Sequence, residues 1–168
     1  MSEAQAPDWF VEPFFPDGSV DWPAARRWVG DMHTTLRQAL GSEAWTDEMA
    51  SWLGRLSHDA LQFQGVMLTQ ATADDLDDLL FTLLPARKDD LPGSPQAAVG
   101  ALRALFLYGA HEAGAMQAAD AVAWLEVDER SDQLAEALGL QASLPQRRST
   151  PRKRLPRRRK KTRRRNKK

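Results

Sequence analysis

Apolar residues in this chain recur at three- and four-residue steps, the period of an amphipathic helix. Ala25, Trp28, Val29, Met32, Leu36, Ala39 and Leu40 form one such stripe. Asp21 caps it, Pro23 suits its first turn and Gly41 follows its end, so a first helix is predicted between them. A second helix is predicted from near Ser42 or Thr46 to Gly65, with Met49, Trp52, Leu53, Leu56, Ala60 and Phe63 on one face. The short connection makes the two antiparallel neighbours. The third has the sharpest start, a capping box of Thr72 with Asp75, with Asp74, Asp77 and Asp78 near the helix's positive end. Leu76, Leu79, Leu80, Leu83 and Leu84 supply its buried face and Pro85 its stop.

Residues 86–95 read as a loop, since Arg87, Lys88, Asp89, Asp90, Pro92 and Gly93 crowd into it. Ser94 and Pro95 open a fourth helix carrying Ala98, Val99, Leu102, Leu105, Phe106 and Gly109, with fraying near Gly114. A fifth is predicted over 115–125, with Met116, Ala119, Val122 and Trp124 or Leu125 inward. A short last helix, about 131–138, closes on Gly139 and Leu140 as a glycine cap with its hydrophobic contact. The fold expected is all-α, a compact bundle of about five to six helices. Ahead of it, residues 1–20 hold Trp9, Phe10, Phe14 and Phe15 among Pro7, Pro13 and Pro16. They are too proline-interrupted for a helix and too apolar for water, so this leader is expected to pack on the helical domain, residues 21–144.

The run Leu79-Leu80-Phe81-Thr82-Leu83-Leu84-Pro85-Ala86-Arg87-Lys88, followed after a loop by Ala101-Leu102-Arg103-Ala104-Leu105-Phe106-Leu107-Tyr108, resembles a pattern known elsewhere. It is similar to the Leu-rich helix, Pro-Arg-Lys turn and helix of a group of uncharacterised, mostly helical bacterial proteins. Here Ala86 stands between Pro85 and Arg87. The resemblance implies a helical bacterial domain and brings no activity with it.

Charge changes the picture more than composition does. Residues 147–168 contain Arg147, Arg148, Arg152, Lys153, Arg154, Arg157, Arg158, Arg159, Lys160, Lys161, Arg163, Arg164, Arg165, Lys167 and Lys168, and no carboxylate. These 15 cations come from a total of 23, so the preceding residues keep 8 cations against all 23 carboxylates. A formal net charge of zero therefore joins a body near −15 to a tail near +15. Such segregation predicts a polyanionic partner for the tail, which from residue 145 onward is too charged to fold alone and reads as disordered. Nucleic acid, DNA or RNA, is the expected partner, met through its backbone and independently of sequence, because the tail has no aromatic residue for stacking and no Gly-Arg-Pro core for a minor groove. The competing expectation is a protein-interaction module whose acidic body is the working surface, the tail docking on acidic protein surfaces that include its own body.

Catalytic and metal motifs are the remaining chemistry. Asp74, Asp75 and Asp78 have the Asp-Asp-x-x-Asp spacing that holds magnesium diphosphate in helical isoprenoid synthases, but first-turn capping accounts for them and no second acidic motif accompanies them. His111-Glu112 begins like a zinc-protease helix, and Ala115 stands where the second His would be. His33 and His58 have no adjacent ligand set, and Gly30, Gly41, Gly54 and Gly65 are isolated rather than gathered into a phosphate loop. The expectation is a protein without catalytic residues, metal or cofactor. The absence of Cys excludes disulfides, and no membrane span and no signal peptide are expected, so a cytoplasmic protein is expected, with the nucleoid and the ribosome as alternative places for the tail's nucleic-acid partner.

Overall fold

The computed structural model describes residues 11–112, 114 and 116–140. The elements are α1 (Trp22–Leu40), α2 (Asp47–Asp59), α3 (Ala73–Asp78), α4 (Pro95–Glu112), α5 (Met116–Leu125) and α6 (Arg130–Ala137). The fold is all-α; among the described residues the one departure is an isolated antiparallel bridge between Phe14 and Val20. That bridge closes a turn in the leader, where the Asp17 carboxylate accepts from the Ser19 hydroxyl at 2.6 Å and the Ser19 N–H at 2.9 Å. These two bonds hold the Asp17 carboxyl below its ordinary value of 3.8, so what it adds to stability is present above that pH and lost as pH falls below it. Val11, Phe14 and Val20 pack half-buried on the core and Phe15 is exposed, while Trp9 and Phe10 lie outside the described residues.

Helix α4 is the axis of the bundle and packs against α1, α2, α5 and α6. Its sequence explains the position: Ala98, Val99, Ala101, Leu102, Leu105 and Phe106 are all buried, a face broader than one stripe, as a helix with neighbours on several sides requires. Helices α1 and α2 form the expected antiparallel hairpin, with Arg37 and Asp47 paired at 2.9 Å near its bend. Thr46 caps α2 through its hydroxyl, and Asp21 caps α1 by accepting from the Ala24 N–H. The Thr72–Asp75 capping box is complete, each side chain meeting the other's backbone N–H. The chain leaves α6 in a Schellman arrangement, with Gly139 at φ +68°, its N–H on the Glu136 carbonyl and the Leu140 N–H on that of Ala135.

Several expectations are corrected. Both α2 and α3 run on into wide π turns, Ala60–Gln64 and Leu79–Leu83, and α3 adds a final helical turn, Leu84–Ala86. Pro85 therefore lies inside the last turn instead of ending the helix before it: the wide turn has already moved the register of carbonyls, and the missing proline N–H falls where it is tolerated. Phe63 is 46% exposed, because the π turn rotates it off the stripe that Leu56 and Ala60 continue. In α5, Ala118, Ala121 and Leu125 are the buried positions and Ala119 is exposed, one residue away from the expected register. Ala39 and Leu40 are exposed at the end of α1, where it overruns the core. Finally, Met67, Leu68, Thr69 and Ala71, which carry no helical period, are fully covered by the bundle around a single 3-10 turn, Leu68–Gln70.

The buried hydrophobic core described runs from Ala25 to Leu138, and Pro13 of the leader is buried as well. A chain ending at residue 144 is therefore expected to keep helical circular dichroism and a cooperative thermal transition, and loss of cooperativity would show that the tail supports the fold. Within it, Leu80 has 0% exposure and Leu80→Ala is expected to cost about 2 to 5 kcal/mol in urea unfolding through the lost transfer energy and the cavity left behind.

Candidate functional site

The densest polar constellation forms where α2 enters its π turn. Asp59 is the last residue of α2 and its side chain is 2% exposed. Its carboxylate is held from two sides: Arg55, one turn earlier, donates Nε–H to Oδ2 at 2.7 Å, and Arg87, beyond α3, donates from Nη1 to Oδ1 at 2.8 Å. Arg55 also donates from Nη2 to the Arg87 backbone carbonyl at 2.9 Å. The Arg87 guanidinium, 4.3 Å from the ring centroid, lies over Phe63. That contact covers one face of an aromatic ring left facing water. Thus a residue read as part of a solvated loop is a fixed strut between two segments. Gln64 adds a second tie, donating from Nε2 to the Asp75 carbonyl at 2.9 Å.

His58 precedes Asp59, stacks on Trp22 with ring centroids 4.8 Å apart, and has Nδ1 3.3 Å from Asp59 Oδ1. Beside this pair, α1 and α2 enclose a slot of about 140 Å³. Trp22, Ala25, Val29 and Leu61 form its apolar walls, Gly54 its floor, and Arg26, Ser57 and His58 its polar part. Three buried side-chain atoms among the described residues have no hydrogen-bond partner, Trp52 Nε1, Ser57 Oγ and Gln64 Oε1, and all belong to α2 and its π turn. Of these residues only Ser57 lines the slot.

The candidates read from the sequence are dispersed. Asp75 is committed to the capping box, while Asp74, Asp77 and Asp78 are exposed around α3. His33 Nδ1 accepts from the indole N–H of the buried Trp45 at 2.8 Å, and His111 is exposed at the end of α4. Among the described residues no group of three or more His, Asp or Glu could hold a metal ion, and no helix is long and apolar enough to cross a membrane. The fifteen cations of 147–168 lie outside the described residues.

Five of the eight cations of the body bond to groups of the body itself. Arg37, Arg55 and Arg87 are paired with aspartates. Arg103 donates to the Leu125 carbonyl at 2.8 and 2.7 Å and caps the end of α5, and Arg130 lies 4.1 Å over Trp124 while donating to its carbonyl. Most carboxylates by contrast are exposed, among them Asp31, Glu43, Asp74, Asp77, Asp78, Asp89, Asp90, Asp120 and Glu126. The surface of the body is acidic in structure as well as in count.

Asp59→Ala is expected to cost about 3 kcal/mol in urea unfolding, near the low end for breaking a buried pair because both arginines can recover some water. Arg87→Ala should cost about 1 kcal/mol, since its side chain is 42% exposed, and the double variant should cost less than the two together. Additive costs would mean that the two side chains act independently. Comparison of the chain with protein-family models, with curated proteins and with solved structures finds no match.

Proposed function

We propose that this chain is a non-enzymatic accessory or adaptor protein in which an acidic helical body carries a cationic tail that binds the phosphate backbone of nucleic acid. The observation that supports it is that most of the body's cations are paired within the body. Five of the eight outside the tail, Arg37, Arg55, Arg87, Arg103 and Arg130, are spent on carboxylates, carbonyls and aromatic faces of the body itself. Among the described residues Arg26, Arg27 and Lys88 have no such partner, and the densest run of positive charge in the sequence is residues 147–168. Guanidinium groups at that density engage phosphate oxygens through paired donors, and released counterions drive the association.

A second reading draws on the exposed Asp74, Asp78, Asp89 and Asp90: the tail competes between nucleic acid and its own body. A segment of twenty-two residues with random-coil dimensions has an end-to-end distance on the order of 25 Å, enough to reach this surface. Self-competition makes the full chain bind nucleic acid more weakly than the tail peptide at low salt. Equal affinities would eliminate it.

Binding to unrelated duplexes, followed by fluorescence anisotropy, is expected to fall about a thousandfold to a hundred-thousandfold between roughly 50 and 200 mM salt, if about six to ten phosphates are neutralised together. Arg158→Ala should weaken it slightly, and replacing residues 157–161 with alanine strongly, with a shallower salt dependence. A block variant that binds like the parent, or a marked preference for one sequence, would refute backbone binding by the tail.

A further inference from the structure

We propose that the slot between α1 and α2 is a binding site for a small apolar anion, a single-ring or branched-chain carboxylate. The site is independent of the tail. Val29 and Gly54 face each other across the slot, where a Cβ added to the glycine would lie 3.9 Å from Val29 Cγ1. Gly54 matters for what it lacks: any larger side chain at this position would project into the floor of the slot. With about 140 Å³ the space is far below that of drug-sized ligands. A dry cavity of about 150 Å³ takes up one benzene ring, which sets the scale of the occupant.

Three groups define its charge. Ser57 is among the residues lining the slot; it is 2% exposed and its buried hydroxyl has no partner among the described residues, so a ligand acceptor that reached it would supply the bond the protein leaves unmade. Arg26 lines the same slot, and among the described residues no carboxylate lies within ion-pair distance of it, although the surrounding surface is acidic. His58 has Nδ1 turned to Asp59 and Nε2 without a partner among the described residues, and its ring stacks on Trp22. Asp59, which adjoins His58, is already paired with Arg55 and Arg87. Apolar walls, one unpaired guanidinium and an unpaired hydroxyl together suit an apolar body with an anionic head. A neutral or cationic ligand of the same size would leave Arg26 unanswered.

The test is a titration of the full-length protein with benzoate, isovalerate, benzyl alcohol and benzylamine in 200 mM chloride, read from the Trp22 indole resonance by NMR and from calorimetry. Saturable binding of benzoate or isovalerate is expected, at least tenfold tighter than of the alcohol or the amine. The Arg26→Gln variant should weaken it about tenfold and Gly54→Leu should abolish it. Ser57→Ala, which removes the unpaired hydroxyl, should weaken carboxylate binding while leaving the thermal transition as high as in the parent or higher, a combination that a purely structural serine would not give. The variant with residues 157–161 replaced should bind benzoate as the parent does, since the tail is not part of the site. No saturable shift at Trp22, equal affinity for benzyl alcohol, or unchanged affinity in both Arg26→Gln and Ser57→Ala would overturn the proposal.

Discussion

A single buried negative charge joins the parts of this bundle that sequence keeps apart. A carboxylate buried in an apolar interior needs compensating partners, and for Asp59 the chain provides them from one residue on the same helix, Arg55, and one beyond the next, Arg87. Because Arg87 follows α3 and its last turn, meeting that demand fixes where the segment after α3 lies. The bond from Arg55 to the Arg87 backbone carbonyl and the stacking of Arg87 on Phe63 then set its direction. The Gln64 bond to Asp75 ties the same two segments again from the other side of the π turn. The two π turns follow immediately on the helices that carry these groups, α2 and α3. In each, one extra residue per turn rotates the side chains that follow, which turns Phe63 outward toward the Arg87 guanidinium.

The same economy governs the body as a whole. Arginines here serve as internal connectors: Arg103 reaches from α4 to the carbonyl end of α5, and Arg130 closes the corner into α6 over Trp124. Such use satisfies helix-end carbonyls that would otherwise lie unpaired, and it leaves the carboxylates to dominate the surface. The division of charge between body and tail is therefore more than a matter of numbers. Arg26 is the instructive exception, a cation beside an apolar slot and an unpaired hydroxyl instead of an aspartate.

What the sequence by itself determined was whatever depends on neighbours three or four residues apart. The caps at Asp21, Thr46 and Thr72, the stripes of α1 and α2, the closure at Gly139 and the all-α class follow from helical period and from hydrogen bonds formed within one turn. The asymmetry of charge was equally legible, since it is a property of composition along the chain. What only the tertiary structure decided were the meetings between residues distant in sequence. Arg87 reads as a loop cation until Asp59, 28 residues earlier, is placed beside it. Residues 66–71 have no period, so their burial is visible only once the bundle covers them. The broad burial of α4 and the shifted register of α5 arise from packing against each other, which no window on either helix contains. The slot depends on where a glycine of α2 comes to face a valine of α1, and its open hydroxyl on a partner that is missing in space. Local pattern fixes helices because their bonds are local, whereas burial, pairing and cavities are properties of which faces meet, and those are chosen by the whole chain at once.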